Sequence, residues 1–268
     1  AVVIEFEKKS SGGSSGGSSG GSSGGSSGSY RPGASGGSGS SGAKSETLPS
    51  INGVQKSWAD IASGLAKQTG SAVIDLNGVT TVPAEVIRVI GNKKITVEFI
   101  ADSAKSWLID SSKITAVSAA DLSTLPGNAD RSALRGVLGA DLKVTGTGVP
   151  ADLKLKFRKE FAGQFANVYK LVDKKLTFQD CVKVDDDGSA VVSGADKAGE
   201  YVVMVCRFSD LHGDADNDGV LNALDASAVL KHVVGLADAA NPLMSDLNGD
   251  GVINAMDARN ILKMAVSA

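Results

Sequence analysis

Residues 214–225 read DADNDGVLNALD, and residues 246–257, 32 positions further on, read DLNGDGVINAMD. Positions 1, 3, 5, 6, 7, 9 and 12 of each twelve-residue segment carry the same or a chemically equivalent residue. Each segment runs into a short stretch in which apolar residues recur at helical spacing. Single Asp/Asn/Gly clusters are common in ordinary turns, but two copies at a fixed spacing favour a repeated functional unit.

The alternation of oxygen-bearing side chains is typical of a Ca²⁺-binding loop, because Ca²⁺ takes about six to eight oxygen ligands in a flexible shell. Positions 1, 3 and 5 turn side-chain oxygens toward one point, and glycine at position 6 permits the sharp reversal. Position 7 offers a backbone carbonyl, position 9 coordinates directly or through water, and the carboxylate at position 12 closes the shell. The sequence therefore predicts two Ca²⁺ ions. Their predicted ligands are Asp214, Asp216, Asp218, Val220, Asn222, Asp225, Asp246, Asn248, Asp250, Val252, Asn254 and Asp257.

Two features separate these segments from an EF-hand. Position 12 is aspartate, Asp225 and Asp257, where an EF-hand carries glutamate. The residues before the first loop, 201–208, alternate like a strand, so no helix enters the loop. Each unit is therefore predicted as a loop followed by a helix, at residues 226–235 and 258–266. Leu221 and Ile253, at position 8, are expected to point away from the ion into a small core.

Paired loop–helix units with aspartate at position 12 and asparagine at position 9 resemble the dockerin module of cellulosomal proteins. The resemblance implies a Ca²⁺-folded module that binds a cohesin domain on a scaffold protein or a cell surface. It also implies that loop positions 10 and 11 and the outer helix face contact the cohesin. Ala223-Leu224 and Ala255-Met256 stand there in place of the Ser/Thr pair common in the family. The residues expected to bind the partner are Ala223, Leu224, Leu230, Lys231, Ala255, Met256, Leu262 and Lys263.

The charge of the chain is unevenly distributed. The net charge of −3 gives no general argument for nucleic-acid binding. From Leu211 onward there are eight aspartates against two lysines and one arginine. These carboxylates repel one another without a cation, so the module is expected to unfold in a chelator. No apolar run is long enough to predict a membrane span.

The composition of the chain also bears on its localisation and on the redox state of its cysteines. Ca²⁺ loops together with a long Ser/Gly tract favour an extracellular, cell-surface or cellulosome-associated protein that is a monomer when alone. Because Ala1 begins directly on a strand-like stretch, no signal peptide is expected, and the chain is interpreted as mature or as a fragment. Cys181 and Cys206 are compatible either with one disulfide or with two buried free thiols.

Four segments are predicted along the chain. Residues 1–9 alternate like an isolated strand, the remnant of an upstream domain or a tag. Residues 10–47 are a flexible Ser/Gly-rich linker, for which an engineered and a natural origin both stay open. Residues 48–208 form a β-rich, sandwich-like module, and residues 209–268 form the dockerin.

The fold class predicted for the whole is α+β. The body, residues 48–208, is expected to be mainly a β sandwich with two short helices, and the dockerin to be a small all-α unit with two loop–helix repeats. The first helix is expected to carry Val54, Trp58, Ile61 and Leu65 on one face, and the second to span residues 83–90. Residues 77–83, 165–169 and 187–190 resemble uncharacterised modules, similar to X modules, that precede dockerins in clostridial and ruminococcal surface proteins.

No catalytic residues are predicted. The two histidines, His212 and His232, lie at the edge of or inside the calcium module, so the body cannot assemble a Ser/His/Asp or Cys/His set. Aromatic residues make up 4% of the chain, which leaves few platforms for stacking sugars. The predicted function is a calcium-dependent attachment module that docks to a cohesin, with the body as spacer and stabiliser. The alternatives are a carbohydrate-binding or enzymatic body anchored through the dockerin, and a calcium-stabilised structural module without a cohesin partner.

Overall fold

The computed structural model describes residues 47–267 of the chain. The strand predicted at residues 1–9 and the linker predicted from residue 10 lie outside the described residues, apart from Thr47. Within residues 47–267 the contacts between elements form one compact unit.

The described chain is dominated by β-strands and carries five α-helices. The strands are β1 (Ser50–Ile51), β2 (Val54–Gln55), β3 (Ser71–Asp75), β4 (Thr81–Val82), β5 (Thr96–Ile100), β6 (Lys105–Asp110), β7 (Ala120–Asp121), β8 (Thr124–Pro126), β9 (Val137–Val144), β10 (Asp152–Lys156), β11 (Phe165–Val172), β12 (Lys175–Lys183), β13 (Ser189–Val192) and β14 (Gly199–Cys206). The helices are α1 (Trp58–Leu65), α2 (Ala84–Lys93), α3 (Ala223–Val233), α4 (Pro242–Ser245) and α5 (Ala255–Ser267).

The first sheet has seven strands in the order β13-β10-β6-β5-β3-β1-β2. Its pair β3/β5 is parallel and is connected through α2, whereas its other pairs are antiparallel. A parallel pair needs such a crossover because a short turn can only reverse the chain. Ala72 and Ile74 in β3 are buried while Ser71, Val73 and Asp75 are exposed, so the sheet covers its core with one face.

The second sheet has five antiparallel strands in the order β12-β11-β14-β9-β8. β14 lies in its middle and pairs with β11 on one side and β9 on the other. Tyr169, Val202 and Met204 form a buried cluster on this sheet, and the rings of Tyr169 and Phe178 meet edge to face at 5.9 Å. β4 and β7 form a separate two-stranded pair. The predicted α+β class, mostly sheet with a few helices, is confirmed.

Two details of the body differ from the prediction. The first helix begins only at Trp58, because Ser57 caps it by accepting a hydrogen bond from the amide of Asp60 at 3.1 Å. Val54 lies in β2 instead and is exposed. The second helix runs past Gly91 to Lys93 and ends where Lys94 adopts a left-handed φ of 52°. Its buried face carries Val86, Ile87 and Ile90.

Candidate metal centre

The first acidic loop brings three carboxylates together. The side-chain oxygens of Asp214, Asp216 and Asp218 lie within 4.8 Å of one another. The amide of Asp218 lies 3.1 Å from Oδ1 of Asp214 and 3.2 Å from Oδ1 of Asp216, so both oxygens face the same side of the loop. Gly219 reverses the chain at φ 87° and donates to Oδ2 of Asp214 at 2.9 Å. Convergent carboxylate oxygens are the ligands that Ca²⁺ prefers.

The carboxylate at position 12 closes this loop on itself. Asp225 is fully buried, and its Oδ1 accepts hydrogen bonds from the amides of Ala215 and Asp216 at 2.9 and 3.3 Å. Its Oδ2 accepts from the amide of Asn222 at 2.8 Å. Asn222 and Asp225 together form a capping box, which is why α3 begins at Ala223 and not at residue 226 as predicted.

The second loop repeats this arrangement 32 residues later. The amide of Asp250 lies 3.2 Å from Oδ1 of Asp246 and 2.8 Å from Oδ1 of Asn248. Asp257 is fully buried and accepts from the amides of Leu247, Asn248 and Asn254 at 3.0, 3.2 and 2.9 Å. The internal repeat that the sequence indicates is therefore also a repeat of hydrogen bonds.

Positions 7 and 9 lie next to each other in both loops. The side-chain amide of Asn222 donates to the carbonyl of Val220 at 3.4 Å, and that of Asn254 donates to the carbonyl of Val252 at 3.0 Å. The side-chain oxygen of each asparagine caps the following helix by accepting from residue 224 or 256 at 2.7 Å. The oxygen set of each loop fits a hard divalent cation, and the assignment of individual ligand atoms stays a prediction.

Negative charge is crowded in the first loop. Burial, with the Asp225 carboxylate nearby, raises the pKa of Asp214 above its usual range. Burial and the carboxylates of Asp225 and Asp218 likewise raise the pKa of Asp216. Both shifts have the same physical cause, since ionised carboxylates that are close together and partly removed from water are unfavourable without a cation.

A small apolar core joins the two loop–helix units. Ala226 and Val229 of α3 and Ala258 and Ile261 of α5 are buried together with Ala215 of the first loop. Leu221 and Ile253, the residues at position 8, pack against this cluster as predicted. Val233, Val234 and Leu262 of the same helices are apolar but exposed, so they do not belong to this core.

The eight residues predicted to bind a partner are all exposed. Leu224 is 63% exposed and Met256 is 50% exposed, although both are large and apolar. Each stands one residue before the buried carboxylate of its loop. Their exposure is compatible with a docking surface, and their contact with a partner stays a prediction.

Three residues that join the body to the calcium module were not identified from the sequence. Ser209 and Asn241 are fully buried at the junction between the body and the calcium module, and Asn217 hydrogen-bonds to the same junction. Asn217 occupies position 4 of the first loop, where the second loop has Gly249. Both residues have a positive φ, 63° and 71°. A polar side chain in one copy where the other copy has glycine was the signal available in the sequence.

The two cysteines are free thiols and are half-buried. Cys181 in β12 pairs with Asn167 of β11, whereas Cys206 lies in β14 on the opposite side of β11. Because β11 lies between β12 and β14, the backbones of the two cysteines are at least two strand spacings apart, about 9.5 Å. That separation exceeds the roughly 7 Å that a disulfide can bridge. Of the two alternatives that the sequence left open, the structure has the free thiols.

No helix among residues 47–267 is long and apolar enough to cross a membrane. No curated protein and no solved structure matches the chain. Dockerin domains are non-catalytic modules that bind Ca²⁺ and dock to cohesins, and they occur in secreted components of cellulosomes. Residues 212–266 match the family model of the dockerin type I domain, which confirms that the C-terminal part of this chain is a dockerin module.

Proposed function

We propose that residues 209–268 attach this protein to a cohesin domain of a scaffold or cell-surface protein, and that the attachment requires two Ca²⁺ ions. The match of residues 212–266 to the dockerin type I domain carries the proposal. The convergence of Asp214, Asp216 and Asp218, and the same hydrogen bonds in the second loop, support one ion in each loop.

The residues of this chain have separate tasks in the proposed mechanism. Bound Ca²⁺ supplies the positive charge that offsets the crowded carboxylates. Asp225 and Asp257 each tie the loop backbone to the first turn of a helix, so that the loop and the helix are ordered together. Leu224 and Met256 then present equivalent apolar side chains to the partner, with Lys231 and Lys263 as charges at the rim. Because the two copies match, the cohesin can dock in either of two poses related by a two-fold rotation.

We assign residues 48–208 the role of a non-catalytic spacer and stabiliser. Both histidines of the chain lie outside this body. The body contacts the calcium module through Asn167, whose side-chain oxygen accepts from the amide of Asp210 at 2.8 Å. The proposed setting is extracellular, cell-surface or cellulosome-associated, with the chain monomeric in the absence of its partner.

A capture experiment tests the attachment. The full chain is passed over a panel of immobilised cohesins, once with Ca²⁺ and once with EDTA. We expect capture by at least one cohesin class with Ca²⁺ and none with EDTA. If the chain folds and binds Ca²⁺ but no cohesin captures it, a structural calcium module becomes the better assignment. Binding of residues 48–208 on a glycan array would instead favour a carbohydrate-binding body.

Substitutions distinguish one docking pose from two. Leu224→Asp and Met256→Asp are compared singly and together, with Leu125→Asp as control because Leu125 is a similarly exposed residue of the body. Two poses predict that either single change leaves capture largely intact and that the double change abolishes it. Loss of capture with one single change alone would establish a single pose.

A further inference from the structure

The two calcium loops have different surroundings. In the second loop, residues 248–252 are all exposed, and a side chain added at Gly251 would meet no atom within 4 Å. In the first loop, a Cβ added at Gly219 would lie 2.8 Å from the ring of Phe165 in β11 of the body. Asp214, the first residue of this loop, is fully buried, whereas its counterpart Asp246 is half-buried. The first loop is therefore packed against the body.

Asn217 connects the first loop to the chain segment that leaves the body. Its side-chain nitrogen donates to the carbonyl of Arg207 at 2.9 Å, and its side-chain oxygen accepts from the amide of Ser209 at 2.9 Å. Asn241 donates to the carbonyl of Ser209 at 2.8 Å and, more weakly, to the side-chain oxygen of Asn217 at 3.3 Å. The side chain of Asn217 thus connects the first loop to residues 207 and 209 of the junction.

The segment that Asn217 binds is itself fixed to the second sheet. The Asp210 carboxylate forms an ion pair with Arg135 and accepts a hydrogen bond from the hydroxyl of Tyr169. The side-chain nitrogen of Asn167 donates to the carbonyl of Phe208 at 2.9 Å. The hydrogen bonds of Asn217 to this segment therefore link the first loop to the second sheet of the body.

The second loop lacks an equivalent contact because its position 4 is Gly249, which has no side chain. The backbone conformation at this position is nevertheless the same in both loops. The two loops thus share most of their internal hydrogen bonds. The second loop has two additional ones, from the amide of Gly249 to Asp246 and from the side chain of Asn248 to Asp250. The loops also differ in whether the residue at position 4 is hydrogen-bonded to the junction.

We propose that Asn217 is a positioning residue that couples Ca²⁺ binding in the first loop to the attachment of the calcium module to the body, so that the first loop binds Ca²⁺ more tightly than the second. The inference rests on the proposed calcium dependence and adds a ranking of the two sites. A loop held in its binding conformation by other contacts loses less conformational freedom when the ion binds. Coupling is reciprocal, so Ca²⁺ in the first loop strengthens the junction to the same degree.

Asn217→Gly is a well-matched test, since it gives the first loop the residue of the second at a position with positive φ. Gly249→Asn is the converse control, because a Cβ added there meets no atom within 4 Å. Ca²⁺ is titrated into the full chain while the amide NMR signals of Gly219 and Gly251 report the two loops separately. Hydrogen exchange of residues 207–211, with and without Ca²⁺, reports the junction.

In the wild-type chain we expect the Gly219 signal to reach its midpoint at a lower Ca²⁺ concentration than the Gly251 signal. Asn217→Gly should raise the Gly219 midpoint roughly tenfold, the effect of losing two hydrogen bonds, and leave the Gly251 midpoint near its wild-type value. The same variant should lose the Ca²⁺-dependent protection of residues 207–211. Gly249→Asn should change neither midpoint by more than about twofold.

Coincident midpoints in the wild type would overturn the inference, and so would equal weakening of both loops by Asn217→Gly, which would mean general destabilisation. These outcomes leave cohesin capture untouched, so they are distinct from failure of the proposed function. If Ca²⁺ moved neither glycine signal in the wild type, the proposed calcium dependence and this inference would both be wrong.

Discussion

At the scale of single residues, the two position-12 aspartates offer a direct test of the repeat. Asp225→Ala and Asp257→Ala each leave three backbone amides without their acceptor and remove a predicted Ca²⁺ ligand. We expect each change to lower the stability of the Ca²⁺-loaded module by about 2–4 kcal/mol. Thermal unfolding in Ca²⁺ measures this, with Asp238→Ala as an exposed control that should change little. An effect of either variant as small as that of the control would contradict the assignment.

Tyr169 predicts a dependence of stability on alkaline pH. Burial and the Asp210 carboxylate raise the pKa of its phenol well above the usual range. The folded state thus favours the neutral phenol. The contribution of this phenol to the stability of the folded state is therefore fully present below the ordinary tyrosine pKa of about 10, and it is lost as the pH rises further. Absorbance titration should show that the phenol of Tyr169 ionises only when the protein unfolds, and Tyr169→Phe should remove this contribution to the titration.

The same substitution tests the junction at neutral pH. Tyr169→Phe removes a hydrogen bond to a carboxylate and should cost about 1–2 kcal/mol in chemical denaturation. Tyr201→Phe is the control, because the Tyr201 hydroxyl donates only to backbone carbonyls, at 2.9 and 3.2 Å. An equal pH dependence in both variants would count against the role given to Asp210.

The thiols should be free and slow to react. Burial raises the pKa of Cys181 to about 11, so at pH 8 only about a thousandth of it is the reactive thiolate. We expect alkylation of the unreduced, denatured chain to label both cysteines, and alkylation of the folded chain to label Cys181 far more slowly than a small thiol. An unreduced chain that takes up no label after denaturation would indicate a disulfide and contradict the structure.

The convergence of the three carboxylates in the first loop could be predicted from the sequence because it is dictated by local loop geometry, whereas their role as Ca²⁺ ligands stays a prediction. Asp214, Asp216 and Asp218 converge through contacts that span at most five residues. Asn217 could not be assigned in the same way, because its partners Arg207 and Ser209 belong to the junction and become neighbours only when the module folds onto the body. Ser209 and Asn241 were missed for the same reason.

At the scale of elements, α3 and α5 depend on few buried side chains. Ile261 is fully buried in the core that joins them. Ile261→Ala should cost about 2–4 kcal/mol, which is a large part of what so small a core can supply. Val266 on the same helix is 87% exposed, and Val266→Ala should have almost no effect. Circular dichroism during thermal unfolding in Ca²⁺ compares the two, and similar midpoints would show that α5 does not pack as described.

Element boundaries show where local patterns stop being informative. Apolar spacing placed Val54 on the first helix, but the cap at Ser57 starts that helix later. The parallel pairing of β3 with β5 depends on the crossover through α2, a long-range arrangement that strand patterns do not encode. Strands of two residues, such as β1 and β2, are too short to show an alternation of apolar and polar residues. The α+β class was nevertheless predictable, since most of the longer strands follow clear apolar patterns.

At the scale of the whole molecule, Ca²⁺ removal should separate the two parts of the chain. The calcium module has a small apolar core and a large excess of aspartates, whereas the body has two extensive sheets. In EDTA we expect helices α3 and α5 to unfold while the sheets persist. Limited trypsin digestion should then cut at Lys231, Arg259 and Lys263, sites that are protected in Ca²⁺, and restoring Ca²⁺ should restore the protection. Simultaneous loss of sheet and helix in EDTA would contradict this separation.

The position of β14 has a mechanical consequence. This strand is the last of the body before the calcium module, and it is hydrogen-bonded along its length to β11 and to β9. A tensile force applied beyond Cys206 pulls along the axis of β14. The hydrogen bonds that join β14 to β11 and to β9 must then break together in shear, and cannot break one after another. A load applied through the calcium module would therefore pass into the middle of a sheet, to a strand that is held on both sides.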